Sequence, residues 1–266
     1  MKKYTTALWF LVCFMMLQMF IPFGIEQVWN ATTGNSDETI EKLIIENSVP
    51  TIVVIILFFA MRWTPFTRAY MQSRPWGVFF WIVIAALGTI IPSAWLQEQL
   101  PALPNVLEQE FNDILTNRWG YLAVGILAPI GEEMVFRGAI LRILLTANTQ
   151  QPAPDSRQPS PIIPIAISAA IFALIHLNPA QMPHAFLVGL LLGWIYWRTG
   201  SILPTILFHW VNNSTAYVVY NLLPQSQDLK LIDLFGSERA VILSVVFSLL
   251  ILLPAIYQLH LRMRRV

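Results

Sequence analysis

Long apolar runs separated by short polar segments recur along the whole chain. Each run has about 20 mostly apolar residues, which is the length that an α-helix needs to cross a bilayer. The pattern therefore predicts an all-α, polytopic membrane protein, a helical bundle of about eight transmembrane helices. The predicted spans are Ala7–Ile25, Leu43–Met61, Trp76–Leu96, Trp119–Leu145, Ile162–Leu177, Met182–Trp197, Ser201–Leu223 and Arg239–His260.

The polar segments between these runs predict loops. Acidic loops are expected at residues 26–47 and 97–118, and the proline-rich segment Thr146–Pro161 is expected to be a flexible loop. The chain shows no internal repeat. We predict one integral-membrane domain in three sections, which are 1–118 with the first three spans, 119–223 as the core, and 224–266 with the last span and a basic tail.

Composition supports a membrane protein and excludes other classes. The 266 residues are 56% hydrophobic and 12% charged, whereas about a quarter of the residues of a soluble chain are charged. The net charge of +1 argues against nucleic acid as a partner. Cys13 is the single cysteine, so no disulfide framework or thiolate metal cluster is expected. Lys2 and Lys3 precede an apolar run that is too long for a signal peptide, which predicts a retained first helix.

The basic residues predict the orientation of the chain. With eight spans and the N-terminus inside, eleven Lys and Arg side chains lie on the cytoplasmic side and four lie outside, as the positive-inside rule expects. Both termini are therefore predicted to be cytoplasmic, in the cell (inner) membrane. The eleven are Lys2, Lys3, Arg62, Arg68, Arg74, Arg142, Arg157, Arg198, Arg262, Arg264 and Arg265, and the four are Lys42, Arg118, Lys230 and Arg239.

The fourth predicted span contains three charged side chains in the sequence GEEMVFRG, which begins at Gly131. A charge at membrane depth costs roughly 2.5–3.5 kcal/mol, so it needs a partner and usually has a function. Glu133 and Arg137 are four residues apart and can pair on one helix face. Glu132 is turned by about 100° from Glu133, so it projects elsewhere and can serve a cavity. Pro129 and Gly131 predict a kink just before the carboxylates.

Two later spans also carry polar groups at depth. Phe172 and His176 are four residues apart, and so are His209 and Asn213, which places each pair on one helix face. An imidazole and an amide on one face can both donate to a developing oxyanion. A Glu and a His from two other helices can hold and deprotonate a water. The four polar groups Glu132, His176, His209 and Asn213 therefore form a candidate catalytic set.

Simpler interpretations compete with this one. A lone His in a membrane helix is often a packing or hydrogen-bonding residue, and His184 and His260, at span ends, are interpreted as interfacial. Asn212 or Asn213 could serve only to join helices. The pair of Glu133 and Arg137 is interpreted as a structural ion pair that supports the site.

The ordered pattern Glu-Glu-x-x-x-Arg, Phe-x-x-x-His, His-x-x-x-Asn resembles the CPBP family (CAAX proteases and bacteriocin-processing enzymes). The resemblance covers about Trp119–Leu223. It implies an intramembrane endopeptidase in which Glu132 and His176 activate the attacking water and His209 and Asn213 stabilise the oxyanion. Glu133, Arg137 and Phe172 would support the site. The implied partners are membrane lipid and a membrane-associated protein or peptide substrate.

Two mechanisms and two other classes of function are left open. Glu132 can act as the base without a metal, or Glu132, His176 and His209 can ligate zinc, a divalent metal that accepts such ligands. The sequence has neither Gly-x-Ser-x-Gly nor His-Glu-x-x-His, the signals of serine and zincin mechanisms. A proton-coupled transporter would also bury such groups, but the lack of a repeat counts against it. A non-proteolytic immunity or scaffold protein would have no reason to bury all four polar groups.

Overall fold

The computed structural model describes residues 2–34, 39–65, 68–147, 160–223 and 230–263, and every regular element in these ranges is helical. The predicted all-α fold class is confirmed. In apolar surroundings a backbone must satisfy its own hydrogen bonds, which favours helices. The elements are α1 (Lys2–Thr33), α2 (Ile40–Ala60), α3 (Arg68–Gln72), α4 (Trp76–Glu98), α5 (Glu108–Thr116), π1 (Tyr121–Leu127), α6 (Ala128–Glu133), π2 (Met134–Leu141), α7 (Arg142–Ala147), α8 (Ile162–Leu174), α9 (Met182–Thr199), α10 (Leu203–Leu222), α11 (Leu231–Phe235) and α12 (Glu238–Arg262).

Among the described helices, α1, α2, α4 and α12 are long and apolar enough to cross a membrane. The helix α8 is also apolar but has 13 residues, so it extends over about 20 Å, against about 30 Å for a hydrocarbon core. Every one of the eight predicted spans contains helix. A polytopic helical bundle is therefore confirmed, and the number of eight spans stays a prediction.

Two predicted loops are partly helical, and the prediction was wrong there. α1 continues to Thr33, and α2 begins at Ile40, where the Thr39 side chain caps the helix by accepting a hydrogen bond from the Lys42 N–H. The Nζ atom of the buried Lys42 lies 3.8 Å from Glu26 and 4.0 Å from Glu46. In the second predicted loop, 97–118, the polar residues form the nine-residue helix α5.

Some predictions fall outside the described residues. Positions 148–159 of the predicted proline-rich loop lie outside them, and so do Arg264 and Arg265 of the predicted basic tail. The helix α7 occupies the beginning of that predicted loop, up to Ala147.

The chain divides into two compact units, one with residues 1–66 and 108–168 and the other with 67–107 and 169–266. The helix α8 contributes its first residues to the first unit and its last residues to the second. The predicted sections with boundaries at 118 and 223 stay a prediction.

Aromatic side chains fill the interior of the first unit, where α1 packs against α2, π2 and α7. The ring of Trp63 lies 5.1 Å from Phe10 and 5.0 Å from Phe58. Phe14 meets Phe136 edge-on at 5.5 Å. These contacts hold the helical segment with the charged motif against α1.

The second unit has its core among α4, α9, α10 and α12. Its fully buried members include Ile82, Leu192, Ile195, Phe208 and Leu259. α12 runs close along α4, because a Cβ on Gly88 would lie 3.1 Å from the Leu252 backbone. Small residues permit such close approach of helices in apolar surroundings.

Candidate active site

The helix with the charged motif changes its winding on both sides of the two glutamates. It runs as π1, then α6, then π2. Pro129 has no N–H, and its ring clashes with the carbonyl four residues earlier, which disfavours a regular α-turn there. The N–H of Ala128 bonds to the Ala123 carbonyl, five residues back. The predicted kink coincides with this change of winding, and π-helical turns are frequent at functional sites.

Glu133 and Arg137 form the ion pair that their spacing predicts. Arg137 Nη1 donates to Glu133 Oε1 at 2.7 Å, and neither side chain has any exposed surface. A buried charge without a partner carries a large desolvation cost, which this charge-assisted hydrogen bond offsets. The two charges therefore stabilise each other inside the first unit.

Glu132 differs from Glu133 in its exposure. It is half-buried at the end of α6, whereas Glu133 is fully buried. Arg137 interacts electrostatically with both carboxylates, but its salt bridge joins it to Glu133. Glu132 is thus the partly exposed glutamate of the motif, although its Oε2 atom is buried.

Two glycines allow this helix to approach its neighbours closely, and sequence reasoning did not single out their contacts. A Cβ on Gly131 would lie 2.8 Å from Thr51 Cγ2, and one on Gly138 would lie 2.2 Å from Thr64 Cγ2. The Thr64 hydroxyl also donates to the Met134 carbonyl. Small residues beside buried charges are a packing signal in membrane helices, and this signal could have identified both glycines.

His176 lies in a turn just after α8, which ends at Leu174. The prediction that this helix continues to Leu177 was wrong. Leu177 has a positive φ of 51°, a conformation that does not continue a right-handed helix. Pro179 two residues later adds a further restriction, since it disfavours the helical region for the residue before it.

The end of α8 determines the tautomer of His176. Its backbone N–H bonds to the Ala173 carbonyl, and its imidazole Nδ1 lies 2.8 Å from the Phe172 carbonyl oxygen. Because a carbonyl oxygen only accepts, Nδ1 is the donor. In the neutral ring, Nε2 therefore carries the lone pair that can accept a proton or a hydrogen bond.

Phe172 contacts both histidines of the candidate set. Its ring centroid lies 5.0 Å from that of His176 and 5.9 Å from that of His209, edge-on in both cases. Gly189 of α9 makes room for this arrangement, because a Cβ there would lie 3.0 Å from the Ala169 Cα and 3.4 Å from Phe172 Cδ1. The buried phenyl ring thus packs against two imidazoles of the second unit.

His184 of α9, which was interpreted as interfacial, contacts a residue of another helix in the second unit. Its Nδ1 is hydrogen-bonded to the Ser93 hydroxyl of α4. Its ring also interacts electrostatically with Asn212, His176 and His209. These residues lie on different helices, and periodicity within one helix carries no information about such contacts.

His209 and Asn213 lie four residues apart on α10, as predicted, with His209 buried and Asn213 half-buried. The neighbouring Asn212 is buried, and its side-chain Nδ2 has no hydrogen-bond partner among the residues that the structure describes. The helix-joining role considered for one of the two asparagines stays a prediction.

The candidate residues lie in both units. Glu132, Glu133 and Arg137 belong to the first, and Phe172, His176, His209 and Asn213 belong to the second. In the described part of the chain, no three His, Cys, Asp or Glu side chains form a group that could hold a metal ion. The zinc ligand set Glu132, His176 and His209 stays an alternative to the metal-free mechanism.

Residues 114–215 match a protein family described as Rce1-like type II CAAX prenyl endopeptidases. The match begins in α5 and ends in α10, so it includes every residue of the candidate site. Comparisons with curated proteins and with solved structures found no match.

Proposed function

We propose that Glu132 is the general base of an intramembrane protease, because residues 114–215 match the Rce1-like CAAX endopeptidases, in agreement with the CPBP resemblance. The family implies peptide hydrolysis within a membrane and a membrane-associated protein as substrate. Together with the long apolar helices, it points to an integral membrane protein.

The different environments of the two glutamates in the motif are the observation that carries the proposal. Arg137 forms its salt bridge with the fully buried Glu133, and the half-buried residue is Glu132. A base must reach the proton that it abstracts, so the partly exposed glutamate suits this task better than the fully buried one. Glu133 and Arg137 then support the site by holding the helix that carries Glu132.

The hydrogen bond of His176 supports a role in orienting the water. Because Nδ1 donates to the Phe172 carbonyl, the lone pair on Nε2 can accept a hydrogen bond from a water molecule. Phe172 packs against the ring as well, which limits its rotation. We assign His176 to water activation and Phe172 to its positioning.

His209 and Asn213 are assigned to the oxyanion. Both side chains can donate hydrogen bonds, and their spacing on α10 places them on one face. Pre-positioned donors stabilise the negative charge that develops on the substrate carbonyl oxygen. The edge-on contact with Phe172 fixes the His209 ring from the other side.

In the proposed reaction Glu132 takes a proton from water while the water oxygen bonds to the carbonyl carbon of the scissile peptide. His209 and Asn213 donate to the resulting oxyanion. When the carbon–nitrogen bond breaks, Glu132 returns the proton to the leaving amine. The carboxylate is thereby restored, and no proton is gained or lost over the cycle.

The substitution Glu132→Gln tests the base. An amide cannot take the proton, so hydrolysis of a reporter peptide by the purified protein in detergent should fall by about 10²–10⁴. Glu108→Gln, which changes an exposed glutamate of the same unit, is the matched control and should retain full activity. Both variants should elute as folded protein in size-exclusion chromatography.

Unimpaired cleavage by Glu132→Gln would falsify the base assignment. Activity that is lost to a chelator and regained with zinc would instead make Glu132 a metal ligand. His209→Ala and Asn213→Ala should each lower the rate by about 10²–10³, the usual cost of removing one oxyanion donor.

A further inference from the structure

The connection between α8 and α9 carries His176, and the chain that follows α4 holds this connection in place. The Ala180 backbone N–H donates to the Pro104 carbonyl at 3.3 Å. Gln97 Nε2, at the end of α4, donates to the Ala180 carbonyl at 2.8 Å. All these residues belong to the second unit. We call residues 104–106 the clamp segment.

Asn178 makes the side-chain contacts between this connection and the clamp segment. It has no exposed surface. The Val106 backbone N–H donates to Asn178 Oδ1 at 3.3 Å, and Asn178 Nδ2 donates to Asn105 Oδ1 at 2.7 Å. Because a backbone N–H only donates, the atom that faces Val106 is the amide oxygen, and this determines the orientation of the amide. One buried side chain thus bonds to two consecutive residues of the clamp segment.

The backbone between His176 and Asn178 is strained. Leu177 has a positive φ of 51°, which is uncommon for a residue with a Cβ. Its side chain is 65% exposed, so packing of that side chain does not hold the conformation. Such strain persists where the surrounding structure over-determines it. The end of α8 fixes His176 on one side, and Asn178 is fixed on the other, where its carbonyl also accepts from the N–H groups of Gln181 and Met182.

We propose that Asn178 is a positioning residue, which together with the clamp segment sets the imidazole of His176 for water activation. This inference rests on the proposed function, because it concerns the same site. The bond from His176 Nδ1 to the Phe172 carbonyl at 2.8 Å requires that the chain leaves α8 in this strained turn. Without the bonds of Asn178, Leu177 relaxes from its positive φ and the imidazole turns away from the carbonyl. Asn178 therefore acts through His176 and not on the substrate itself.

Steady-state cleavage of the reporter peptide by purified full-length variants in detergent measures the effect on catalysis. Asn178→Ala should lower kcat by about 10²-fold, since displacing a catalytic group by about 1 Å has a cost of this order. KM should stay nearly unchanged, because the water-activating interaction is made in the transition state and not in substrate binding. Size-exclusion chromatography checks that the variant is folded.

The clamp segment supplies a second pair of variants and a matched control. Asn105 is exposed, so Asn105→Ala removes the acceptor of the Asn178 bond without opening the interior, and it should lower kcat in the same direction. Asn105→Asp presents a carboxylate oxygen to the same donor and should restore kcat. Asn221→Ala changes an exposed asparagine of α10 whose amide donates within its own helix at 2.9 Å, and it should cleave like the unmodified protein.

Nitrogen-15 NMR of the histidine rings gives a readout that does not depend on activity. In the unmodified protein the neutral ring of His176 should carry its proton on Nδ1, because this atom donates to the Phe172 carbonyl. The signal is assigned by its loss in His176→Ala protein. In Asn178→Ala and Asn105→Ala protein it should shift towards the form protonated on Nε2, since the carbonyl no longer determines the tautomer.

Unchanged kcat in both Asn178→Ala and Asn105→Ala protein would overturn the proposal. A loss of kcat with the His176 proton still on Nδ1 would also overturn it, because the effect would then not pass through this ring. If Asn178→Ala protein does not fold, Asn105→Ala and Asn105→Asp decide by the same two criteria. Full activity of His176→Ala protein would instead refute the water-activating role in the proposed function, and the tautomer would still decide whether Asn178 positions the ring.

Discussion

Arg137→Ala removes the cation that neutralises Glu133 in the interior of the first unit. Both side chains are fully buried, and their contact measures 2.7 Å, so the remaining carboxylate has no surface through which water can solvate it. Breaking a buried pair in this way costs about 3–5 kcal/mol. Because domains are stable by about 5–15 kcal/mol in total, the amount of folded protein should fall markedly, and activity should fall with it.

Glu133→Gln isolates the electrostatic part of this cost. The amide has the same shape as the carboxylate, but it leaves the buried Arg137 guanidinium without its counter-charge, so we again expect about 3–5 kcal/mol. The double variant Glu133→Gln with Arg137→Met removes both charges and keeps most of the volume. It should be clearly more stable than the sum of the single changes implies, because two residues in direct contact are energetically coupled.

Thermal unfolding in detergent and the folded yield in size-exclusion chromatography measure these effects. Arg118→Ala, which changes an exposed arginine of the same unit, is the control and should change stability by no more than about 0.5 kcal/mol. Arg137→Ala protein that is as stable and as active as Arg118→Ala protein would refute the assignment of a supporting ion pair.

Two further predictions concern packing and topology. Gly138→Ala places a methyl group 2.2 Å from Thr64 Cγ2 and should destabilise the folded protein by about 1–3 kcal/mol in thermal unfolding. The control Gly24→Ala, with nothing within 4 Å of the new Cβ, should not destabilise it. Equal melting temperatures of the two variants would contradict the close contact at Gly138. A reporter fused at Asn105 should lie outside the cell and one in the loop between α2 and α4 inside, from the distribution of basic residues; an inside signal at Asn105 would overturn the predicted threading.

The regularities within single helices were predictable from the sequence. Each apolar run that was expected to span the membrane contains helix. The four-residue spacing predicted the contact between Glu133 and Arg137. The same spacing related Phe172 to His176, and it holds although His176 lies just beyond the end of α8. Each of these predictions depends on residues close together in the chain, for which the helix period determines the geometry.

Contacts between helices were not predictable in the same way. No pattern related His184 to Ser93 on α4 or to Asn212 on α10, because which faces meet depends on how side chains of different helices interdigitate. The end of α8 was also missed, since a short apolar run does not show where the backbone turns.

The sequence by itself therefore determined that the chain is an all-helical membrane protein with buried charges, and it identified the residue types suited to peptide hydrolysis. Only the tertiary structure decided which buried groups contact one another. It distinguished the half-buried Glu132 from the fully buried Glu133, assigned the proton of neutral His176 to Nδ1, and brought His184 to Ser93 of another helix. The physical reason is that a helix repeats its geometry along the chain, whereas burial and contact arise from packing between segments that are distant in sequence.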